Sequence, residues 1–299
     1  MTGPAGSVEF LDVAAFDGTR LTLRRWHGAV VGAGRGTVLI VHGVGEHGGR
    51  YDEVAARLGT TGWRVFCHDQ RGHGLSDGSR GRLRRDDDLL EDLTVVVDHV
   101  RSLAPGPLLL LGHSLGGVVA GRFVAEARRP VDLLVLSSPA LDPGLSPAKK
   151  ILVRWARQLL PDITLGNGLD PRGISRDPEV VAAYRADPLV HDRISPRLAA
   201  FLVESGPRVI RAAPAWRVPT LVMWAGDDSF VGPNGSAEFV RTAPAGTVTG
   251  RCFPEHRHEI LNDVDRELVF AELEAWLRLH GQEPGSRFVP QRGGPPPPS

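Results

Sequence analysis

The sequence predicts an α/β fold in which a mostly parallel central sheet is flanked by helices on both faces. Short apolar runs bounded by turn residues alternate with stretches of helical periodicity, which is the order that builds parallel strands joined by helices. Near the N-terminus, alternating apolar and polar residues on either side of Asp17-Gly18 predict an antiparallel hairpin. Between residues 141 and 216 no strand pattern is visible, so we expect a helical insertion there.

The N-terminal half supplies the hairpin and the first strands of the sheet. Residues 8–14 and 19–26 are the predicted hairpin strands. Four consecutive leucines at 108–111 are typical of a strand that is buried on both faces of a parallel sheet. The other predicted elements are strand 37–41, helix 51–59, strand 63–67, helix 86–103, helix 118–127 and strand 131–136.

The C-terminal half contains the insertion and then returns to the sheet pattern. Its predicted elements are helices 149–160, 178–185 and 196–211, strand 219–224, helix 238–242, strand 247–253 and helix 263–280. We therefore expect a core of residues 8–140 and 217–280 and a helical cap of residues 141–216. Residues 281–299, which are rich in proline and glycine, are expected to form a disordered tail.

Composition and charge restrict the function classes. The chain has 299 residues with 35 basic and 35 acidic side chains, so nothing in its charge suggests binding to nucleic acid. Its cysteines, Cys67 and Cys252, lack the spacing of metal ligands and fit a reducing compartment. Because we find neither a secretory signal nor an apolar run of membrane-spanning length, we expect a cytoplasmic protein. The oligomeric state is left open.

Ser114 lies where a catalytic serine would be expected. It is the centre of the motif Gly-His-Ser-Leu-Gly at 112–116, between the leucine strand and a helix. A strand, a sharp glycine-flanked turn and a helix are the context of a nucleophile elbow, and the N-terminal end of the helix favours negative charge at this point. Ser76 lies in the same pattern at 74–78, but no strand or helix flanks it, so we interpret it as a loop residue.

Two backbone amides are candidates for stabilising an oxyanion. Strand 37–41 ends in His42-Gly43-Val44, and glycines at such a turn let the main chain expose its N–H groups. We expect the amides of Val44 and Leu115 to be the donors. His47, which follows in the same turn, is expected to order the loop.

A second polar turn, at residues 68–76, contains groups that could pass for catalytic ones. Asp69, Arg71 and His73 follow strand 63–67. We expect these side chains to hold a tight turn together through hydrogen bonds to the backbone.

An acid and a base follow later strands of the predicted sheet. A serine hydroxyl needs a base such as histidine, and the histidine needs a carboxylate to fix its tautomer. The carboxyl ends of parallel strands meet at one edge, and the expected chain order is Ser, Asp, His. Asp227 or Asp228 follows one strand and His256 or His258 the next, and the spacing alone leaves both choices open. The two histidines lack a third partner for a metal, so no metal site is expected.

Five segments carry a resemblance to a known family: HGVGEHGGRY (42–51), DQRGHGLSDG (69–78), GHSLGG (112–117), YRADPLV (184–190) and HEILND (258–263). Together they resemble the α/β-hydrolase superfamily and, within it, the serine hydrolases similar to monoacylglycerol lipases and lysophospholipases. The resemblance spans roughly residues 8 to 280. It implies an α/β-hydrolase fold with an inserted helical cap and an N-terminal antiparallel hairpin.

The resemblance also implies which residues act. The family's acid precedes two residues and then a valine, which Asp228 satisfies, and its histidine precedes a glutamate and an apolar run, which identifies His258. Two departures are Ala225, where a glycine is usual, and the extra carboxylate of Asp227. With Ser114 as nucleophile, the implied activity is cleavage of carboxylic esters of single-chain lipids, either monoacylglycerol or lysophospholipid, through an acyl-serine intermediate, with no cofactor.

Two other functions stay open at this point. The chain could be an esterase for small non-lipid or xenobiotic esters, or a ligand-binding protein on the same fold without turnover. The helix at 149–160 has an apolar stripe that we expect to pack on the domain below. Its basic residues and Trp155 also fit peripheral contact with a membrane surface, and the two interpretations do not exclude each other.

Overall fold

A computed structural model describes residues 7–27 and 34–281. The predicted tail, apart from Gly281, lies outside the described residues. Within them the strands are, in chain order, β1 (Ser7–Ala14), β2 (Arg20–His27), β3 (Gly36–Val41), β4 (Trp63–His68), β5 (Leu108–His113), β6 (Leu133–Ser137), β7 (Leu165–Gly166), β8 (Arg193–Ile194), β9 (Thr220–Ala225) and β10 (Val248–Phe253).

Eight of these strands form the central sheet, in the order β1-β2-β4-β3-β5-β6-β9-β10. β1 and β2 pair as an antiparallel hairpin, and β2 pairs antiparallel with β4. All other neighbours in the sheet are parallel. The predicted fold class is therefore confirmed, and the parallel strands end at one edge of the sheet.

Helices lie between the strands. In the described residues they are α1 (Asp52–Thr60), α2 (Asp88–Leu103), α3 (Leu115–Ala125), α4 (Pro147–Leu159), α5 (Pro178–Ala186), α6 (Pro196–Ala212), α7 (Pro233–Thr242) and α8 (Arg266–His280). We call residues 141–216, which contain α4 to α6, the cap segment. Each of these three helices begins with proline directly after a capping Ser or Asp whose side chain accepts a backbone N–H, which fixes where the helix starts.

The core consists of two apolar layers, one on each face of the sheet. The leucines of β5 alternate between them: Leu108 and Leu110 pack in one layer, Leu109 and Leu111 in the other, and all four are buried. The prediction of a strand buried on both faces is thus confirmed. This strand is a rigid base for the residues that follow it.

The structure corrects three expectations. The cap segment contains a short antiparallel pair, β7 with β8, where no strand was predicted, because two-residue strands are too short to show an alternating pattern. Helix α7 begins at Pro233 rather than at residue 238. The apolar stripe of α4 does not pack on the domain below: Leu152 and Trp155 are 66% and 64% exposed.

Candidate active site

Ser114 stands at a strained turn between β5 and α3. Its backbone has φ of +52° and ψ of −115°, a conformation that side-chain-bearing residues rarely adopt. Such strain persists only where the surroundings impose it. Here the Ser114 N–H donates to the Ser137 carbonyl at 3.0 Å, and the Ser114 carbonyl accepts from Ala140 N–H at 3.0 Å. These bonds from the end of β6 and from the loop after it hold the turn in place.

Glycines allow the chain to pass close to itself around this serine. A Cβ atom on Gly116 would lie 1.9 Å from the Val41 carbonyl oxygen, and one on Gly112 would lie 2.4 Å from the Gly116 carbonyl oxygen. No side chain fits at either position. The glycines therefore bring the end of β3, with its following turn, against the start of α3.

Asp228 and His258 form a buried pair on the loops after β9 and β10. His258 Nδ1 lies 2.8 Å from Asp228 Oδ2. The other carboxylate oxygen accepts from the amides of Phe230 at 2.8 Å and Val231 at 3.0 Å. Burial raises the pKa of Asp228, but the neighbouring imidazole and these hydrogen bonds outweigh it, and the pKa lies below its ordinary value. A carboxylate held in this way fixes the orientation of the ring.

Ser114 and His258 line the same cavity. Its volume is about 270 Å³, and both residues are largely buried at its wall. Within the described residues no hydrogen bond joins the Ser114 hydroxyl to the His258 ring, and catalytic hydrogen bonds often tighten only when substrate is bound. The cap segment supplies many of the apolar lining residues: Pro143, Leu145, Val153, Leu169, Ile174, Ile194, Leu202 and Val203.

The two predicted oxyanion donors come from the turn after β3 and from the elbow itself. Val44 lines the cavity, and Leu115 is the buried first residue of α3. In the part of the chain that the structure describes, neither amide donates to a carbonyl or side chain. Both N–H groups are therefore without a protein acceptor, as an oxyanion hole requires.

A buried ionic network, which sequence reasoning did not predict, connects the Val44 turn to the histidine loop. Glu46 accepts from the Gly43 amide and, at 2.8 Å, from the Tyr51 hydroxyl. Arg50 donates to Glu46 at 2.9 Å and to Glu259 at 2.7 Å. Burial raises the pKa of Glu46, but the charge of Arg50 dominates and the pKa falls to about 2. The motif at 42–51 contained these residues, but only the fold brings Glu259 to them.

The polar side chains of the two turns after β3 and β4 have mostly structural partners. His47 Nδ1 accepts from Gly49 N–H at 3.1 Å, which orders the loop as predicted. Asp69 accepts from the amides of Gly48 at 2.7 Å and Leu75 at 2.8 Å, and the turn prediction is confirmed for it. Arg71 differs from expectation because its guanidinium binds carboxylates, not backbone.

Three further candidates lie away from the Ser114 cavity lining. Ser76 is buried, accepts from Thr22 N–H at 2.8 Å and so stabilises its loop. The Asp227 side chain is 70% exposed and lies 3.9 Å from Arg257. His256 is buried beside Phe253, with ring centroids 5.2 Å apart. Among the residues described, no three His, Cys, Asp or Glu side chains are grouped to hold a metal ion.

A family model described as "Serine aminopeptidase, S33" matches residues 32–265. The chain belongs to this family. This S33-family chain is 35% identical over 250 residues to the monoacylglycerol lipase of Mycolicibacterium smegmatis, covering 82% of this chain and 89% of the relative. It is 30% identical over 281 residues to the human monoglyceride lipase, covering 92% of each.

Solved structures agree with the family. The S33-family chain matches the crystal structure of Paleococcus ferrophilus monoacylglycerol lipase with a TM-score of 0.78 and 31% identity, covering 87% of this chain and 99% of that one. A soluble variant of the Saccharomyces cerevisiae monoglyceride lipase, in complex with a substrate analog, matches with a TM-score of 0.81 at 23% identity, covering 93% and 97%, and shows the shared fold. The predicted α/β-hydrolase fold and family resemblance are confirmed.

Proposed function

We propose that the protein is a serine hydrolase that cleaves carboxylic esters of single-chain lipids, monoacylglycerols or lysophospholipids. The observation that carries the proposal is the largely apolar cavity that contains both Ser114 and His258. The relatives named monoacylglycerol and monoglyceride lipases support it. An apolar cavity beside a serine and an imidazole suits an ester with a hydrocarbon chain.

In the proposed first half-reaction, the Ser114 hydroxyl attacks the ester carbonyl while His258 Nε2 takes its proton. Asp228 holds the opposite ring nitrogen, so the tautomer is the one that accepts at Nε2. General-base catalysis of this kind contributes about 10² to 10⁴ in rate. The amides of Val44 and Leu115 donate to the oxyanion, and losing one such donor lowers turnover by about 10² to 10³.

In the second half-reaction, the acyl-serine is hydrolysed. His258 has already given its first proton to the alcohol, which leaves as the acyl-serine forms, and it now takes a proton from a water molecule that attacks the acyl carbonyl. The tetrahedral intermediate collapses, Ser114 recovers its proton, and the fatty acid leaves. Each step uses only this chain's residues and water.

The acyl-length dependence of the reaction tests the proposal. Each buried methylene contributes about 0.8 kcal/mol, so kcat/KM should rise about threefold to fourfold per methylene until the cavity is filled. We expect this rise across 1-acylglycerols from butyrate to palmitate, and no turnover by Ser114→Ala. A preference for acetate or butyrate would reject the lipid substrate. Binding of the esters without turnover by the unmodified chain would indicate a non-catalytic protein.

We also propose peripheral contact with a membrane surface through α4. Its outer face exposes Ile151, Leu152, Trp155 and Leu159. Lys149, Lys150 and Arg154 on the same helix are exposed or half-buried cations suited to anionic headgroups. None of the described helices is long and apolar enough to cross a bilayer. A cytoplasmic location stays a prediction.

A further inference from the structure

A second cavity adjoins the first. Its volume is about 500 Å³, and it lies partly between the cap segment and the loop around Arg80. His191 lines it and donates its backbone N–H to the Gly45 carbonyl at 2.9 Å, one residue beyond Val44. The cavity is therefore next to the proposed oxyanion site. The two cavities share the lining residues Asn167, Leu169, Ile174, Tyr184 and Phe230.

Most charged side chains of this second cavity already have a partner. Arg193 lies 3.3 Å from Asp192, and Arg185 lies 3.8 Å from Asp170 outside the cavity lining. Asp187, the other carboxylate in the lining, pairs with the His47 ring at 2.8 Å. Two of the three arginines that line the cavity thus lie within 4 Å of a carboxylate.

Arg80 is the exception among these lining arginines. Its guanidinium forms no ion pair or side-chain hydrogen bond with the described residues, and its Nη1 atom is buried without an acceptor. A buried donor without an acceptor is unfavourable and calls for an explanation. An anion in the cavity would compensate the unpaired positive charge of this guanidinium.

The loop that carries Arg80 is fixed in place. The Gly81 carbonyl accepts from Ser195 N–H at 2.8 Å, and a Cβ atom on Gly81 would lie 2.0 Å from the Arg193 carbonyl oxygen. This contact holds the loop against the cap segment. Burial and the nearby Arg80 charge lower the pKa of His191 to about 4. The His191 ring is therefore neutral at pH 7, and the positive charge at this point of the cavity belongs to Arg80. The backbone that carries Arg80 is therefore held in place before any ligand binds.

We propose that this second cavity binds the phosphate of an anionic head group, with Arg80 as its main ligand, so that phosphate-bearing lysophospholipids are substrates. The proposal rests on the function proposed above. In such a lipid the glycerol carries the acyl ester on one side and the phosphate on the other. With the chain in the apolar cavity and the ester at Ser114, the phosphate reaches the adjoining cavity. A guanidinium can bind phosphate oxygens with two parallel hydrogen bonds.

Two substrates that differ only in the phosphate test the proposal. The kcat/KM for 1-oleoylglycerol and for 1-oleoylglycerol 3-phosphate is measured in neutral detergent micelles with the unmodified chain and Arg80→Gln. Losing a hydrogen bond to a charged group weakens binding by about 10- to 100-fold. We expect the ratio of phosphate ester to neutral ester to fall about 10-fold or more, mainly through KM, and Arg80→Lys to restore part of it. Arg82→Gln is the matched control.

Arg82 suits this control because it lies in the same loop, carries the same charge and pairs with Asp162 at 3.2 Å outside the cavity lining. An equal fall of the ratio in both variants would show that any positive charge in this loop attracts the phosphate ester, and it would overturn the proposal. Equal losses of kcat/KM on both esters with Arg80→Gln, or no loss on either, would also overturn it.

The unmodified chain separates the two proposals. If it hydrolyses neither ester, the proposed function fails; if it hydrolyses only 1-oleoylglycerol, the head-group site alone fails. In a separate experiment, inorganic phosphate is added to both reactions. If Arg80 binds the lipid head group, phosphate should compete with the phosphate ester. Inhibition of the neutral ester alone, lost in Arg80→Gln, would instead identify a site for free phosphate and contradict the proposal.

Discussion

At the scale of single residues, two adjacent carboxylates have opposite environments. The Asp228 side chain is 1% exposed and bonds the His258 ring, whereas Asp227 is 70% exposed. The backbone decides this, because the chain after Asp228 turns back and presents the amides of Phe230 and Val231 to its carboxylate. Spacing along the sequence leaves both aspartates open, since a one-residue shift at a strand end is not visible in composition.

Replacing each aspartate by asparagine separates their roles. We expect Asp228→Asn to lower kcat by about 10³ to 10⁴, because an amide favours the wrong imidazole tautomer. Asp227→Asn, the matched control, should leave kcat nearly unchanged, because the Asp227 side chain is exposed and the His258 ring bonds Asp228 instead. Steady-state kinetics on a soluble ester measure both. Similar losses in the two variants would contradict the assignment.

Glu46 makes the stability of the protein depend on pH. Its pKa is about 2 in the folded chain, below its ordinary value of 4.5. The carboxylate therefore stabilises the fold above pH 4.5, and this contribution is lost as the pH falls through 2. We expect the difference in unfolding free energy between the unmodified chain and Glu46→Gln to be largest above pH 4.5 and to shrink on acidification. Urea titrations over pH 2–7 measure it, and a difference independent of pH would contradict this account.

At the scale of elements, strands buried on both faces can be predicted from the sequence. Two-residue strands, and contacts between loops that are far apart in the sequence, cannot. The leucines of β5 predict a strand because every position is apolar, and a glycine-flanked serine directly after it predicts the elbow. The pair β7 with β8 has no periodicity to detect. The network from Glu46 through Arg50 to Glu259 joins separate loops, and only the sheet order brings those loops together.

The close passage of β3 against α3 gives a prediction about stability. A methyl group on Gly116 meets the Val41 carbonyl at 1.9 Å, so Gly116→Ala should destabilise the fold by about 3 kcal/mol or more. Gly59 in α1 has nothing within 4 Å of the same position, and Gly59→Ala should be neutral or stabilising by up to about 1 kcal/mol. Thermal and urea unfolding compare the two. Equal stability of both variants would refute the packing argument.

At the scale of the whole molecule, the cap segment both lines the Ser114 cavity and presents an apolar face outward. An amphipathic pattern predicts that a helix has one apolar face, but it does not say what covers that face. For this reason the sequence located α4 correctly and its packing wrongly. Arg157 joins α4 to Glu204 in α6 at 3.0 Å and to Asp86. These ion pairs hold one face of the helix against the protein, and the apolar face stays exposed.

Membrane contact through this face is testable with vesicles. The double variant Leu152→Ser, Trp155→Ser should bind phosphatidylglycerol vesicles about 10-fold or more weakly in a co-sedimentation assay. Each of the two side chains contributes about 1.5 to 3 kcal/mol when it is buried in lipid. Turnover of a dissolved short-chain ester should stay the same. Leu279→Ser in α8, which is 78% exposed, is the control. Undiminished binding of the double variant would exclude α4 as the contact.

Covalent labelling shows which serine is the nucleophile, and we expect it to be Ser114. The unmodified chain is treated with a fluorophosphonate, digested and analysed by mass spectrometry, with Ser114→Ala in parallel. We expect one phosphonylated peptide, modified at Ser114, and no modification of the variant. Labelling at another serine such as Ser76, or equal labelling of the Ser114→Ala variant, would contradict it.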